Sequence, residues 1–362
     1  MKVLITGACG FAGRHLTEYL LSGYEFQMNA PPAGSNAATA VTSIIGVDNY
    51  VRTGTSCNTD STFNFLQNNP DSPENTITGS QISAGKRIDF ISADLRDSEK
   101  MEGIIKDIMP DRIYNLAAQA SVGNSWKEPV KTFEINVLAG INLLEAVRKY
   151  CPRCRVLFAC TAEEYAPLKN NADIAILEDF AIGPCSPYAI SKAAIDFFAS
   201  TYQEAYDLPI YISRSFNHIG PGQSERFVTA DFAKQIAEIE SKKKAPEISV
   251  GNLAVFRDFL DVRDAVRAYC FIIEKGESGE PYNVCSGIKI SISDILEMMI
   301  SLSKVKDIKI TVDSSKLRPV DLKSVYGDNT KIKNHTGWKP AYNIKQTLAD
   351  TLDWWRERSK SN

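Results

Sequence analysis

The stretch Lys2-Val-Leu-Ile-Thr-Gly-Ala-Cys-Gly-Phe-Ala-Gly13 decides the fold class of this chain. Its first five residues form an apolar run typical of a buried strand, and apolar residues at helical spacing follow as far as Leu21. Glycines between a strand and a helix let the backbone approach a pyrophosphate at the helix N-terminus. The stretch therefore predicts a dinucleotide-binding unit. The residues assigned to the cofactor here are Gly7, Gly10, Phe11, Ala12 and Gly13.

Further strand-like runs alternate with helical runs along the first 215 residues. This βαβα alternation requires parallel pairing with right-handed crossovers. The sequence therefore predicts an α/β fold with a Rossmann-type doubly wound parallel sheet over residues 1–215, with roughly 256–275 returning to it. The less regular residues 216–362 predict a smaller α/β C-terminal domain that binds the substrate.

Two irregular insertions interrupt the predicted cofactor-binding domain. Residues 24–40 are rich in Ala, Pro, Gly and Asn, and residues 52–84 are polar with repeated Thr and Ser. Both compositions favour loops over core elements. We expect the second insertion to be a long exposed excursion.

The end of the second predicted strand carries candidates for the adenosine ribose of the cofactor. Asp48 follows Gly13 by 35 residues, whereas about 20 are usual for the ribose-binding acid. Asp48, with Asn49 beside it, favours the free ribose of NAD. Arg52 can instead neutralise the 2′-phosphate of NADP, so the sequence leaves the choice between NAD and NADP open.

Later strand ends supply further cofactor candidates. Asp94 and Leu95 close the third predicted strand, where the acid can accept the adenine amino group or cap the helix that begins near Ser98. The fourth strand ends in small side chains that would let a cofactor lie against the backbone. The residues assigned there are Leu116, Ala117, Ala118 and Gln119.

The run Ser186-Pro-Tyr-Ala-Ile-Ser-Lys192 predicts a helix opened by its proline. Tyr188 and Lys192 are four residues apart and therefore share one face of that helix. A lysine ammonium near a phenol stabilises the phenolate and lowers the tyrosine pKa from about 10 toward neutrality. Thr161 ends the fifth predicted strand, at the edge of the sheet where ligands bind. These residues predict an acid–base centre.

Composition excludes several functional classes. The net charge of −3 provides no broad basic face for nucleic acid or anionic lipid. No apolar run is long enough to cross a bilayer, and the N-terminal one is too short for a secretion signal, so we expect a soluble cytoplasmic protein. Cys151-Pro-Arg-Cys154 lacks a second pair, and the three histidines are dispersed, so we expect a mechanism without metal.

Taken together, these residues resemble those of the extended short-chain dehydrogenase/reductases that act on nucleotide sugars, the NAD-dependent epimerase/dehydratase family. The stretches that carry the resemblance are Gly7-x-x-Gly10-x-x-Gly13, Asp94, Asn115-Leu-Ala-Ala-Gln119, Asn136, Thr161, Tyr188-x-x-x-Lys192 and Arg257-Asp-Phe259.

Within that family, the C-terminal half most resembles the reductases of GDP-4-keto-6-deoxy-D-mannose, which lie near the GDP-mannose 4,6-dehydratases. The loop Gly220-Pro-Gly-Gln223 differs from the arginine-bearing loop of the dehydratases. Ala162 replaces a residue that is generally Ser or Asp in them. Glu163 stands where a dehydratase base would be and does not separate the two groups.

The resemblance implies reduction of the C4 ketone of GDP-4-keto-6-deoxy-D-mannose to a GDP-6-deoxyhexose with NAD(P)H. Tyr188 would give the proton, Thr161 would bind the same oxygen, Lys192 would hold the nicotinamide ribose, and Glu163 would lie near the sugar ring. The residues implied to bind the GDP-sugar are Ser125, Asn217, Phe227, Val228, Lys234, Asn252, Arg257 and Arg318.

Alternative functions stay open at this point. They are a GDP-mannose 4,6-dehydratase, a nucleotide-sugar 4-epimerase and, from another class, a non-enzymatic nucleotide sensor on the same fold. The resemblance also implies a homodimer formed through helices 133–150 and 187–206. No nucleic-acid or membrane partner is expected.

Overall fold

The computed structural model of the chain describes residues 1–22, 41–49, 77–83, 86–167, 173–317 and 322–361. The predicted insertion at 24–40 and most of that at 52–84 lie outside the described residues, as do the candidate site residues Arg52 and Arg318. In the part of the chain that is described, no helix has an apolar stretch long enough to cross a membrane.

The described strands form one large sheet and two small ones. Their bounds are β1 (Lys2–Thr6), β2 (Ser43–Asp48), β3 (Ile77–Ser83), β4 (Lys86–Ser92), β5 (Arg112–Asn115), β6 (Arg155–Thr161), β7 (Ile210–Ser215), β8 (Asn217–Ile219), β9 (Glu247–Val250), β10 (Phe256–Asp261), β11 (Pro281–Val284), β12 (Lys289–Ser291), β13 (Lys309–Val312) and β14 (Ser324–Val325).

The large sheet has the strand order β11-β7-β6-β5-β1-β2-β4-β3. The pairs β1–β2, β1–β5, β2–β4 and β5–β6 are parallel. The chain therefore winds outward in both directions from β1, and the order reverses between β1 and β5. This arrangement confirms the predicted Rossmann-type fold class, and the reversal is where such sheets bind ligands.

Residues 77–83 of the predicted excursion form strand β3, which the sequence did not predict. It pairs antiparallel with β4 at the edge of the sheet. An edge strand needs backbone hydrogen bonds on one side only, so a segment rich in Thr, Gly, Ser and Gln can form one without an apolar run to signal it.

The described helices begin and end as follows: α1 (Phe11–Leu21), α2 (Ser98–Ile108), α3 (Val122–Lys127), α4 (Pro129–Phe133), α5 (Ala139–Tyr150), α6 (Pro187–Tyr206), α7 (Val228–Glu240), α8 (Val262–Lys275), α9 (Ile292–Ser301), α10 (Thr330–Thr336) and α11 (Ile344–Ser361).

Helix α6 begins where its sequence predicts. Pro187 lies in the first turn, and the Ser186 hydroxyl accepts a hydrogen bond from the Ala189 amide at 3.1 Å. A proline has no amide proton to satisfy in the first turn, and the serine satisfies one of the unpaired amides there. These two residues fix the start of the helix that carries Tyr188 and Lys192.

The predicted helix over 133–150 contains a π-helical stretch, Glu134–Leu138, between α4 and α5. A π-helical stretch widens the turn by one residue and frequently occurs at functional sites. The apolar spacing of the sequence gives no sign of it. Asn136 lies within this stretch.

Packing divides the chain into two compact units. The first contains Met1–Glu164, Pro184–Ser213 and Tyr269–Pro281, and the second contains Tyr165–Gly183, Arg214–Ala268 and Tyr282–Asn362. This division differs from the predicted one mainly in two places, besides smaller shifts at residues 214–215 and 276–281. Residues 165–183 group with the second unit, and of the stretch 256–275 only the part from Tyr269 groups with the first. Residues 256–268 belong to the second unit because β10 pairs with β8, β12 and β14, which all lie in that unit.

Each unit has its own apolar core. In the first unit, Leu4, Ile113 and Val156 are fully buried in the sheet against α2 and α5. In the second unit, Phe232, Ile248 and Leu348 are buried where α7, α9 and α11 pack together. Because the parallel strands are covered on both faces, they read as continuous apolar runs in the sequence.

Candidate active site

The turn between β1 and α1 requires its glycines. Gly7 has a φ of +69°, and a Cβ at that position would lie 2.8 Å from the Ala117 Cα. A Cβ on Gly13 would overlap the carbonyl oxygen of Gly7. Gly10 is the N-cap of α1 and supplies no capping side chain, so the first-turn amides, which include those of Phe11 and Ala12, are available to an anion. This geometry fits the pyrophosphate of a dinucleotide.

Asp48 lies beside that turn despite its late position in the sequence. Its Oδ2 accepts a hydrogen bond from the Cys9 amide at 2.9 Å. Burial raises the pKa of Asp48, and hydrogen bonds from the amides of Cys9 and Asn49 oppose that rise. Strand β2 pairs in register with β1, so the residues that precede β2 lengthen the connection without moving the acid.

Asp94 is an ion-pair centre instead of a helix cap. Its carboxylate accepts hydrogen bonds from Arg96 Nε at 2.9 Å and Nη2 at 2.5 Å, and from Asn49 Nδ2 at 3.1 Å. The N-cap of α2 is Asp97, which accepts from the Lys100 amide. The capping role predicted as an alternative for Asp94 is therefore wrong.

The carboxyl end of β5 is fixed by two polar side chains. The Leu116 and Ala117 amides donate to the backbone oxygen and the hydroxyl of Thr6. The Asn136 Oδ1 accepts from the Gln119 amide at 2.8 Å. Leu116, Ala117, Ala118 and Gln119 are half-buried there, whereas Leu95 is buried beyond β4.

Asn136 also connects this strand end to α6. Its Nδ2 donates to the Ser191 Oγ at 2.9 Å, and the Ser191 hydroxyl donates to the Tyr188 carbonyl at 2.7 Å. The sequence motif includes Asn136 without indicating what it contacts. The structure indicates that Asn136 holds the first turns of α6 against the carboxyl end of β5.

The three residues of the predicted acid–base centre come together. Tyr188 and Lys192 lie in the first two turns of α6, and Thr161 ends β6. The Thr161 hydroxyl is hydrogen-bonded to the Tyr188 hydroxyl. The Lys192 side chain is 6% exposed, and its Nζ donates to the Ala159 carbonyl at 2.6 Å.

The ionisation of Tyr188 differs from the prediction. Burial, and then the Glu163 carboxylate, raise the pKa of Tyr188 above its ordinary value, against the hydrogen bond from Thr161. Burial also lowers the pKa of Lys192. Lys192, whose Nζ donates to the Ala159 carbonyl, is not among the main groups that shift the pKa of Tyr188. Tyr188 is therefore neutral and can act as a proton donor.

Two consecutive glutamates follow Thr161. Glu163 donates its amide to the Thr161 Oγ1 at 3.3 Å. Glu164 is 0% exposed, and its Oε1 accepts from the Thr161 amide at 2.9 Å. Sequence reasoning missed Glu164, because a glutamate after a strand is ordinarily solvated and only the packing of α6 over this turn buries it.

Several predicted substrate residues lie in the second unit around β8 and β10. Asn217 on β8 donates its Nδ2 to the Asp258 carbonyl at 3.1 Å. The adjacent Arg257 donates its Nη1 to the carbonyls of Phe256 and Leu322 at 2.7 and 2.8 Å. Pairing of β8 with β10 thus brings these two candidates close together.

The other predicted substrate residues are more scattered. Phe227 is the exposed N-cap of α7, with Val228 as the first residue of that helix, and Asn252 is exposed in a turn. Lys234 lies 3.6 Å from Glu225 and over the Trp355 ring, which is the ordinary environment of a structural lysine. Ser125 is fully buried, and its hydroxyl donates to the Val122 carbonyl, which argues against contact with a sugar.

Comparison with known proteins identifies relatives across nearly the whole chain. A family model described as GDP-mannose 4,6 dehydratase matches residues 47–351. The GDP-6-deoxy-D-mannose reductase of Pseudomonas aeruginosa is 34% identical over 250 residues, which are 69% of this chain and 82% of that protein.

Two solved structures are similar over nearly their full lengths. RMD from Pseudomonas aeruginosa complexed with NADPH gives a TM-score of 0.75 at 28% identity, covering 99% of both chains. UDP-glucose 4-epimerase from Thermus thermophilus in complex with NAD gives 0.76 at 27% identity, covering 98% of this chain and 99% of that one. The chain therefore belongs to the GDP-mannose 4,6-dehydratase family of extended short-chain dehydrogenase/reductases.

Proposed function

We propose that this chain reduces the C4 ketone of GDP-4-keto-6-deoxy-D-mannose to a GDP-6-deoxyhexose with NADH or NADPH. The observation that carries the proposal is the meeting of Thr161, at the end of β6, with Tyr188 and Lys192, in the first two turns of α6. A reductase must deliver a proton to a developing alkoxide, whereas a dehydratase or epimerase must first withdraw one from a C4 hydroxyl. The likeness to GDP-6-deoxy-D-mannose reductase supports the same choice.

The side chains of the first unit would perform the proton chemistry. When bound, a reduced nicotinamide would supply the hydride to C4. The Tyr188 hydroxyl gives its proton to the ketone oxygen, and the Thr161 hydroxyl donates a second hydrogen bond to that oxygen. The Glu163 amide, at 3.3 Å from the Thr161 Oγ1, limits the rotation of the threonine hydroxyl.

The cofactor-holding residues fit the turn and strand ends described above. The Gly7–Gly13 turn suits the pyrophosphate, Asp48 with Asn49 suits the adenosine ribose, and we assign Asp94 to the adenine. Lys192 would move from the Ala159 carbonyl to the nicotinamide ribose. The solved relatives with NADPH and with NAD support a nicotinamide cofactor without deciding which one.

The GDP-sugar would be held mainly by the second unit. We assign its diphosphate to Arg257 and Arg318, because a guanidinium is permanently charged and forms paired hydrogen bonds with phosphate. Asn217 is assigned beside them, since it and Arg257 both lie next to Asp258. Phe227 and Val228 are assigned to the guanine.

A 4,6-dehydratase is the second candidate. The matching family model carries that description, and Glu163 is close enough to Tyr188 to influence its pKa. A 4-epimerase, as in the Thermus thermophilus relative, is a third. The sensor hypothesis lacks support, because the chain belongs to a family of enzymes and retains Thr161, Tyr188 and Lys192.

We further propose that the protein is a homodimer that pairs through the helical regions 133–150 and 187–206. Large apolar side chains are exposed on both regions, and they are Phe133, Leu138, Ile190, Phe197 and Phe198. An exposed apolar patch of this kind is typical of an interaction surface. The cytoplasmic location stays a prediction from the sequence.

Absorbance of the reduced nicotinamide discriminates the candidate reactions. Purified protein with GDP-4-keto-6-deoxy-D-mannose should consume one NADH or NADPH for each sugar converted. Absence of consumption with either cofactor, together with formation of a 4-keto-6-deoxy sugar from GDP-mannose, would replace the reductase by the dehydratase.

A further inference from the structure

The turn after β6 buries a carboxylate that the proton transfer described above does not use. Glu164 ends the 3₁₀ turn Ala162–Glu164, and its side chain is fully buried. Its Oε1 accepts the Thr161 amide proton at 2.9 Å. Glu164 therefore fixes the backbone of the residue whose hydroxyl contacts Tyr188.

Glu164 belongs to a buried group that also contains Cys160 and Asp196. One ligand-type atom from each of these three side chains lies within 4.8 Å of the others. Cys160 precedes Thr161 on β6, and its Sγ lies 3.9 Å from the Lys192 carbonyl oxygen. Asp196 lies one turn after Lys192 on α6. The group thus adjoins the helix segment that carries Lys192.

A buried ammonium requires a nearby negative charge. Lys192 donates to the Ala159 carbonyl, which is neutral and offsets only part of the cost of removing the charge from water. Burial lowers the pKa of Lys192, and the charges of Cys160 and then of Glu164 oppose that fall. The remaining titratable groups around the centre are Tyr188 on the same helix and Glu163 on the 3₁₀ turn.

We propose that Glu164 is a positioning residue of the active site: its buried carboxylate fixes Thr161 through the backbone and places a negative charge in the group beside the α6 segment that carries Lys192. This role rests on the proposed function, in which a charged Lys192 holds the nicotinamide ribose. Glu164 itself contacts neither the reacting ketone nor the hydride. It acts through Thr161 and Lys192.

The sign of the effect follows from electrostatics. A negative charge stabilises the protonated form of a neighbouring lysine and of a neighbouring tyrosine, and so raises both pKa values. Removing the Glu164 charge must therefore lower the pKa of Lys192 and that of Tyr188. With both pKa values lowered, Lys192 and Tyr188 would lose their protons at a lower pH than in the wild type.

The test is a titration of Lys192 in the whole protein without substrate. Lysine labelled with ¹³C at Cε would be followed by NMR as a function of pH, and the Lys192 signal would be assigned with the Lys192→Arg variant. In Glu164→Gln the midpoint should fall by about one pH unit, the lower end of the shift caused by a nearby charge. Gln keeps the size of the side chain and an oxygen for the Thr161 amide.

Two further variants make the result decisive. Glu164→Leu replaces the buried charge by an apolar side chain of similar size, which proteins commonly tolerate, and it should give the same fall if Glu164→Gln does not fold. Asp196→Asn is the matched control from the same buried group. In this variant the titration midpoint of Lys192 should stay within about 0.3 pH units of the wild-type value. An unchanged midpoint in both Glu164 variants, or an equal fall in Asp196→Asn, would overturn the assignment.

Catalysis gives a second readout. The alkaline limit of kcat/KM should move to lower pH in Glu164→Gln, while kcat/KM on the plateau changes less. A wild-type protein that is inactive on GDP-4-keto-6-deoxy-D-mannose would refute the proposed function and leave the NMR result intact. The two failures are therefore distinguishable.

Discussion

At the scale of single residues, Tyr188 is the group that we assign to proton transfer. Its hydroxyl shares a hydrogen bond with Thr161, and burial with the Glu163 charge keeps it protonated. The sequence predicted the meeting of Thr161, Tyr188 and Lys192 from strand ends and helical spacing. It did not predict the protonation state of Tyr188, because that depends on burial and on the nearby Glu163 charge.

Replacing Tyr188 by Phe tests its role as the proton donor. Loss of the hydroxyl should lower kcat/KM for the GDP-4-keto sugar by about 10²- to 10⁴-fold, the usual value of a positioned general acid. Tyr202→Phe is the control, since Tyr202 lies on the same helix and bonds to Glu145. A Tyr188→Phe variant with wild-type kcat/KM would exclude the assignment.

Asp48 predicts the cofactor preference. Its carboxylate is held at the glycine turn by the Cys9 amide, where it would bond to a free ribose and repel a 2′-phosphate. We expect wild-type kcat/KM to favour NADH over NADPH by about tenfold or more, which corresponds to one hydrogen bond to a charged group. Asp48→Asn should lower the ratio of kcat/KM with NADH to kcat/KM with NADPH.

Asp94→Asn provides the control for this measurement. The adenine is common to both cofactors, so this variant should weaken NADH and NADPH equally. A wild-type protein that prefers NADPH would contradict the role given to Asp48.

At the scale of elements, the π-helical stretch at Glu134–Leu138 connects the carboxyl end of β5 to α6 through Asn136. Asn136→Ala would leave the Gln119 backbone and the Ser191 hydroxyl without this partner. Unfolding free energy should fall by roughly 1–3 kcal/mol in denaturant titrations. Asn142→Ala, which removes bonds to the half-buried carbonyls of Leu95 and Arg96, should cost less.

Activity separates this prediction from a purely local loss of stability. Misplacement of Tyr188 by Asn136→Ala should lower kcat at temperatures where the variant is fully folded. A folded variant with unchanged kcat would mean that Asn136 stabilises the fold without positioning α6.

The elements that the sequence predicted share one physical property. Strands β1, β2, β4, β5, β6 and β7 are apolar because helices cover both faces of a parallel sheet. Strand β3 escaped prediction because its sequence, Ile-Thr-Gly-Ser-Gln-Ile-Ser, contains no apolar run. The π-helical stretch and the buried Glu164 escaped because both are produced by tertiary packing, which leaves no period in the sequence.

At the scale of the whole molecule, the exposed apolar side chains on α6 predict the oligomeric state. Phe197 is 55% exposed in a helix whose other face is buried. Phe197→Glu should convert a dimer to a monomer in light-scattering measurements, because a carboxylate would have to be buried in the interface. Ile288→Glu is the matched control, since Ile288 is 63% exposed and lies outside the two helical regions. A monomeric wild-type protein would refute the proposed pairing.

The central claim is that an external hydride reaches C4 of a GDP-4-keto sugar. Turnover of GDP-4-keto-6-deoxy-D-mannose with reduced nicotinamide deuterated at its transferable position, followed by NMR of the product, tests it most directly. The account predicts one deuterium at C4 of a GDP-6-deoxyhexose for each cofactor oxidised, and incorporation that is slower by about 10²- to 10⁴-fold in Tyr188→Phe. Product formed from GDP-mannose without deuterium, and without net oxidation of the cofactor, would contradict it.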